Sequence, residues 1–461
     1  MIQLDFKTGW KNVMNNRKDF RTELLKIAVP VTLQSLLQSS FSVVDQVMTG
    51  QLGSASIAGI GLAAKFASLY SVLLSAVAAA AGIMMAQYIG KKDDREAGRS
   101  FCFHLCLALF SALLFTGLSS GFPGQVMGIY TKDAAAREIS AEYLRILGIS
   151  FLPMSVSAML AVLLRCREAA VLPLYSGILS AALNTILNYM LIFGKMGFPV
   201  MGAEGAALAT LLSRTFECLL SFLLFLGLKR KQSWRLPFLL GMEKERGGLY
   251  ARILLPILAC EFFWSLGENV YAVIYGHMGT ESCAAMTLTA PIQVLMIGAL
   301  SGIAQAAGII VGKSLGRGEE EKAYEDSRRL MACGLAGSLV LSVLLIIFSR
   351  FYVQIYYVEN RVREITIQIL YMFAVISPVK VQNMILGGGI IRSGGRTHYV
   401  MVIDLIGTWL FGVPLGFLAA FVFRLPIAWV YFMLSLEECV RFIISFAVFR
   451  RRGWIHNLNK I

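Results

Sequence analysis

The sequence predicts an all-α integral membrane protein with twelve transmembrane helices in two pseudo-symmetric lobes of six. Two observations carry this prediction. Of the 461 residues, 57% are hydrophobic and only 15% are charged, whereas soluble domains carry about 25% charged residues. The two halves of the chain also repeat one another at a nearly constant offset.

Twelve apolar segments are long enough to cross about 30 Å of hydrocarbon. They lie at 24–48, 57–88, 101–122, 141–164, 172–193, 203–228, 250–275, 284–312, 330–349, 365–391, 400–422 and 427–449. The predicted domains are a cytoplasmic arm at 1–23, an N-lobe at 24–228, a cytoplasmic linker at 229–249, a C-lobe at 250–449 and a cytoplasmic tail at 450–461.

The basic residues predict the orientation of the chain. The arm, the even-numbered loops and the tail, counted with Lys26 and Arg252 at the adjoining span ends, hold 30 of the 42 Lys and Arg residues, and the opposite side holds seven. This asymmetry follows the positive-inside rule and predicts that both termini are cytoplasmic. It also accounts for the net charge of +14 without a nucleic-acid partner.

The internal repeat predicts a transporter. An offset of 226 residues pairs Pro30 with Pro256, Gly50 with Gly276 and Gly90 with Gly316, and an offset of 225 pairs Arg167 with Arg392. Each repeat contains an even number of spans, so the two lobes have the same orientation. Parallel repeats with a substrate path between them are a recurrent transporter design, in which one lobe rocks against the other.

The first span carries an acidic residue on a polar face. Gln34, Gln38, Phe41 and Asp45 follow one another at steps of four, three and four residues, which places them on one side of a helix. A carboxylate at the centre of a span costs roughly 2.5 to 3.5 kcal/mol, so it should face a bundle interior or a water-filled cavity. Asp45 is therefore the first functional candidate, with a structural pair to Lys65 as the alternative.

Four motifs together resemble the multidrug and toxic compound extrusion (MATE) family, over about residues 20 to 455. They are P-x14-D-x4-G-x2-G from Pro30, G-K-K-D-D-R-E-A from Gly90, N-x3-N-x5-G continuing to Thr210, and G-I-I-R-S-G-G from Gly389. The stretch C-E-F-F-W-S-L-G from Cys260 is most similar to the DinF-like bacterial branch. The resemblance implies a MATE/MOP-type fold and an antiporter that expels organic, often cationic, compounds while H+ or Na+ enters.

The resemblance implies a cation-coupling site in the N-lobe. Asp45 and Asn184 match family positions, and Thr210 is a further candidate. Asn188 stands where many relatives carry a second acid. One carboxylate with two amides offers less charge to a hard cation, so we expect H+ as the coupling ion, with Na+ at Asp45 less favoured.

The C-lobe departs from the NorM-type pattern. Trp264 and Val381 occupy the places where those relatives carry acids, so the NorM-type site is not carried over. The candidates for coupling in the C-lobe are instead the charged residues of its spans, Glu261, Glu268, Lys380 and Asp404. Glu261 and Glu268 share a helix face and can share a proton, or each can pair with a basic residue such as Lys380 or Arg441.

Aromatic and amide side chains are candidates for the substrate cavity. Rings beside the acidic face of the seventh span can meet an organic cation, although lipid contact and core packing account for most aromatic residues of the chain. The candidates are Gln34, Gln38, Phe41, Phe263, Trp264, Tyr271 and Tyr275.

We therefore expect a monomeric, proton-coupled multidrug exporter in the inner membrane of a bacterium, acting on small organic molecules without a cofactor. The alternatives are a lipid-linked oligosaccharide flippase of the same superfamily and a non-transport membrane sensor. An enzyme is not expected, because the four His residues are scattered without the spacing of a metal site.

Overall fold

The computed structural model describes residues 2–52, 54–131, 134–232, 244–354 and 359–455, and the regular structure in these ranges is entirely helical. The α-helices are α1 (Ile2–Thr49), α2 (Ser54–Gly90), α3 (Asp94–Gly121), α4 (Pro123–Tyr130), α5 (Ala134–Leu147), α6 (Phe151–Cys166), α7 (Val171–Phe193), α8 (Gly202–Gln232), α9 (Lys244–His277), α10 (Thr280–Gly316), α11 (Glu320–Gln354), α12 (Asn360–Asn383), α13 (Thr397–Leu405), α14 (Val413–Phe417), α15 (Ile427–Ser435) and α16 (Glu437–Arg450). Short 3-10 turns lie at Gly50–Leu52 and Gly148–Ser150, and π-helical segments at Met384–Ile391, Ile406–Gly412 and Leu418–Val422.

Ten helical stretches within the described residues are long and apolar enough to cross a membrane, from Gly59–Gly90 to Thr397–Val422. They cover the second to the eleventh predicted spans. The first predicted span lies within α1, and the twelfth coincides with α15 and α16. The prediction of an all-helical membrane protein is confirmed.

The described chain forms two compact units. The C-terminal unit comprises residues 1–32, 86–92 and 251–461, and the N-terminal unit comprises 33–85 and 93–250. The ends of α1 and α2 are thus grouped with the second half of the chain. The predicted lobe boundaries, 24–228 and 250–449, remain a prediction.

Local sequence signals account for several helix ends. The Asp93 side chain accepts a hydrogen bond from the Glu96 amide at 3.1 Å and caps the start of α3. Pro123 begins α4, where a missing amide hydrogen costs nothing. Gly194 ends α7 with φ +62°, a left-handed conformation that glycine adopts without strain.

Helices α12 and α13 each continue into a π-helical segment. The first segment contains the consecutive glycines 387–389, and a Cβ on Gly389 would lie 2.6 Å from the Ala304 carbonyl oxygen. The absence of a side chain there lets this segment approach α10 closely. Such departures from α-helical geometry are often found at functional sites.

Small residues allow α2 and α10 to cross in close contact within the C-terminal unit. A Cβ on Gly90 would overlap the backbone of Lys313, and a Cβ on Gly316 would overlap the backbone of Gln87. The two contacts are equivalent under the 226-residue repeat. Small residues four positions apart are a common way for membrane helices to approach each other.

The same crossing brings Ala86 against Gly312, where an added Cβ would lie 3.0 Å from that of Ala86. These positions are also separated by 226 residues. The Gln87 amide donates to the Ser393 carbonyl at 2.7 Å, so the end of α2 is bound to the second half by hydrogen bonding as well as by packing.

Candidate functional site

Asp45 of α1 meets Asn188 of α7 inside the N-terminal unit. Asn188 Nδ2 donates to Asp45 Oδ1 at 2.5 Å and to Asn184 Oδ1 at 3.3 Å. Asn188 is completely buried, and Asp45 is partly buried. Since the two asparagines lie one turn apart, their side chains share a face of α7. The structure therefore brings together three of the four residues proposed for the N-lobe site.

A serine that sequence reasoning missed extends this group to α8. Asn184 Nδ2 donates to Ser213 Oγ at 3.3 Å, and the Ser213 hydroxyl donates to the Thr210 carbonyl oxygen at 3.0 Å. The Thr210 hydroxyl donates to the Ala206 carbonyl oxygen, so Thr210 joins the group through its backbone. Ser213 lies three residues after Thr210, and this helical spacing was the signal that could have found it.

The alternative pairing of Asp45 with Lys65 is wrong for the described part of the chain. Lys65 is exposed, and Asn188 is the side chain that bonds the Asp45 carboxylate. The Asn188 Oδ1 atom is buried without a hydrogen-bond partner among the described residues. One carboxylate with one spare acceptor suits a proton or a monovalent cation rather than a hard divalent metal.

The remaining polar residues of α1 have different environments. Gln34 is buried, and its Oε1 accepts a hydrogen bond from Arg165 Nη2 of α6 at 2.9 Å. Gln38 is exposed, and Phe41 is partly buried. Of the three cavity candidates on this helix, Gln34 thus has its side-chain oxygen bonded to Arg165, which was not among the predicted site residues.

A second polar group lies in the C-terminal unit, beginning at Glu261 of α9. The Glu261 carboxylate pairs with Arg392 at 3.4 Å. Arg392 Nη2 also lies 3.1 Å from Cys260 Sγ, and the Cys260 thiol donates to Asp404 Oδ2 at 2.8 Å. These contacts connect α9, the residues after the first π segment, and α13.

The group continues to α16 through Arg441. Its guanidinium lies 3.1 Å from Glu437 and 3.7 Å from Asp404 and also hydrogen-bonds Thr408. The Tyr271 hydroxyl donates to Glu437 Oε2. Neither Glu437 nor Arg441 was among the predicted coupling residues; their spacing of four residues, with both charges inside a predicted span, was the available signal.

Asp404 forms its ion pair with Arg441, and the Cys260 thiol lies between its carboxylate and Arg392. The reason is the packing of α13 against α16, which places the carboxylate opposite a helix far away in sequence.

The alternative pairing of Lys380 with Glu261 or Glu268 is wrong for the described residues. Lys380 lies 3.8 Å from Glu438 because α12 packs against α16, so it pairs with neither Glu261 nor Glu268. Asn383 also donates to Glu438 Oε2 at 2.8 Å. Glu268 is exposed and forms no ion pair within the described ranges, so the predicted acidic face of α9 divides into a paired and an unpaired carboxylate.

The aromatic candidates on α9 also differ in exposure. Trp264 is 46% exposed, whereas Tyr271 is buried against Glu437. Phe263 is partly buried, and Tyr275 packs against two hydrophobic clusters of the C-terminal unit. Trp264 is therefore the one of these four rings that is open to a ligand or to lipid.

Comparison with known proteins gives a family match over both halves of the chain. The MatE family profile matches residues 30–190 and 256–418, which include Asp45, Asn188 and Glu261. Within the described residues, no group of three or more His, Cys, Asp or Glu side chains is arranged to hold a metal ion.

Named relatives and a solved structure agree with this match. The chain is 26% identical over 420 residues to the probable multidrug resistance protein NorM of Thermotoga maritima, covering 89% of each protein. It is 22% identical to the uncharacterized transporter YisQ of Bacillus subtilis, covering 99% of each. A crystal structure of MATE in complex with MaL6 superposes with a TM-score of 0.87 at 20% identity, covering 96% of this chain and 98% of that one. The DinF-like branch remains a prediction.

Proposed function

The chain belongs to the MatE family of multidrug efflux transporters, and from this premise we propose that it exports organic, often cationic, molecules in exchange for H+. It is a membrane transporter and not an enzyme. Multidrug resistance proteins among its relatives favour drug export over the flippase alternative. Alternating access between the two repeats then carries the substrate across the membrane.

The contact between Asp45 and Asn188 is the observation that carries the proposal. An ionised Asp45 accepts the Asn188 amide at 2.5 Å, whereas a protonated Asp45 becomes a donor as well. The Oδ1 atom of Asn188 is buried and has no partner among the described residues. It can accept a hydrogen bond from the protonated Asp45 carboxyl if that group rotates. Proton uptake then changes the bonding between α1 and α7 and favours one conformation over the other.

The composition of the site favours H+ over Na+. Within the described residues, Asp45 is the carboxylate of the group, and its neighbours Asn184, Asn188 and Ser213 are neutral. Na+ prefers several oxygen ligands and gains from added negative charge, while a proton needs only one carboxylate and an acceptor.

We further propose that the transporter acts as a monomer in the cytoplasmic membrane of a bacterium, with both termini in the cytoplasm. The distribution of Lys and Arg residues supports this orientation. The fused repeats supply both halves of a transport path within one chain.

Efflux of ethidium from proteoliposomes under an imposed pH gradient, and separately under an imposed Na+ gradient, tests this function. We expect the pH gradient alone to drive export by the wild type. The variant Asp45→Asn should insert normally but lose gradient-driven export, while Lys65→Gln, a substitution of the exposed lysine, should retain it. Export driven only by Na+, or unchanged export by Asp45→Asn, would contradict the proposal.

A further inference from the structure

Two carboxylates in the C-terminal unit share one guanidinium. Arg441 lies 3.1 Å from Glu437 and 3.7 Å from Asp404. The side chains of Glu437 and Arg441 are 8% and 9% exposed, and that of Asp404 is 24% exposed. The Nε atom of Arg441 is buried without an acceptor among the described residues, so this side chain keeps a donor that is not committed to either carboxylate.

The neighbouring ion pairs leave this pair of carboxylates short of one positive charge. Glu261 is matched by Arg392, and Glu438 is matched by Lys380. Within the described residues, Arg441 is the ion-pair partner of both Asp404 and Glu437, while Arg392 and Lys380 also act on them electrostatically but are paired with Glu261 and Glu438. A surplus negative charge at membrane depth is costly, and a bound proton removes it.

The π-helical segment Ile406–Gly412 leaves space for this arrangement. A Cβ on Gly407 would overlap the Arg441 side chain, and a Cβ on Gly412 would overlap both the Tyr271 hydroxyl and the Glu437 carboxylate. Glycine at both positions and a π-helical geometry, which recurs at functional sites, fit a site in which the Arg441 side chain moves.

The groups that face the two carboxylates come from α9, α12, α16 and the π-helical segment Ile406–Gly412. Glu437 receives the Tyr271 hydroxyl of α9 and is influenced by Lys380 of α12 and Glu438 of α16. Asp404 receives the Cys260 thiol of α9, and Thr408 bonds Arg441. Of these neighbours, the cation Lys380 is already paired with Glu438, so it does not supply the missing charge.

We propose that Asp404 and Glu437 together bind one proton and that Arg441 stays with whichever carboxylate remains ionised. Protonation of Glu437 transfers the guanidinium toward Asp404 and leaves the Tyr271 hydroxyl without a charged acceptor, which weakens the bond between α9 and α16. The C-terminal unit then holds a proton site separate from Asp45. The site adds to the proposed proton-coupled export but does not depend on Asp45 for its own titration.

Infrared difference spectra of the full-length protein in liposomes, recorded between alkaline and acidic pH, report carboxyl protonation without any transport. We expect Asp45→Asn to keep the carboxyl band of the pair. Either Asp404→Asn or Glu437→Gln should abolish that band, because each leaves one carboxylate matched by one guanidinium. Arg441→Gln should bind a second proton and roughly double the band. The matched control Glu321→Gln, on the exposed pair with Arg452, should leave the spectrum of the pair unchanged.

The proposal of a shared proton is wrong if Asp404→Asn and Glu437→Gln each retain half of the carboxyl band, because that result indicates two carboxyls that titrate independently. It is also wrong if the difference spectrum of the wild type contains no band sensitive to either substitution. If Asp45→Asn loses its own carboxyl band and retains the band of Asp404 and Glu437, the C-terminal site is supported whatever ion drives export. If Asp45→Asn loses export while the band of Asp404 and Glu437 persists, the C-terminal site is likewise supported, and the export defect bears on the proposed function.

Discussion

Asn188 donates its amide hydrogen to the carboxylate of Asp45 at 2.5 Å, so an amide and not a second acid faces this carboxylate. The amide stabilises the ionised carboxylate without adding charge of its own. A second acid at the same place would instead repel Asp45 unless a cation or a proton lay between them. The identity of residue 188 is therefore expected to decide which ion the site prefers.

The variant Asn188→Asp tests this relationship. We expect Na+ affinity to rise about tenfold, equivalent to about 1.4 kcal/mol, because the added carboxylate supplies charge and oxygen ligands. Isothermal titration with NaCl at constant ionic strength measures the change. Asn269→Asp, the same substitution at an exposed position of α9, is the control. An unchanged Na+ affinity would show that residue 188 does not set the ion preference.

A double-mutant cycle at Glu261 and Arg392 tests the ion pair of the C-terminal unit. Arg392→Gln leaves the Glu261 carboxylate without its cation, and breaking such a pair typically costs about 3 kcal/mol or more when both groups are well buried. We expect a clear fall in the thermal unfolding midpoint in detergent for Arg392→Gln and substantial recovery in the double variant with Glu261→Gln. A double variant no more stable than Arg392→Gln would indicate that Arg392 acts mainly through Cys260.

A disulfide between positions 86 and 312 tests the crossing of α2 and α10. With Ala86→Cys and Gly312→Cys in a background free of other cysteines, the Cβ positions are 3.0 Å apart, and a slight widening of the crossing brings them into the disulfide range of about 3.5–4.5 Å. We expect oxidation to form the bond and stop export, and reduction to restore export, since alternating access requires this crossing to open. Each single cysteine variant is the control. Full export by the oxidised double variant would show that the crossing stays closed during transport.

The membrane fold could be predicted from the sequence because hydrocarbon imposes length and composition on each span separately. The grouping of Asp45 with Asn188 was also accessible, since the motifs on α1 and α7 marked both residues. The spacing of Ser213 three residues after Thr210 was a local signal for its participation, but the face of α8 that meets α7 is set by packing.

The ion pairs of the C-terminal unit could not be predicted for a related reason. Arg441 of α16 contacts Asp404 of α13, and the chain between them contains two π-helical segments as well as α14 and α15. Each extra residue in a π turn rotates everything after it by about 100°, so the helical periodicity used to assign faces no longer holds beyond Ile406. The signs of the charges alone allowed several pairings of acidic and basic side chains, and the packing of the helices determined which of these pairs form.

The contact of Ala86 with Gly312 joins two positions that are equivalent in the internal repeat. A residue that meets its own counterpart defines an isologous contact, the kind found in symmetric dimers. A six-helix protein with this surface would pair with a second copy of itself through the same small residues. In such a dimer every substitution alters both sides of the contact at once. A single chain that contains both halves can change one side alone, and this one carries alanine on α2 and glycine on α10.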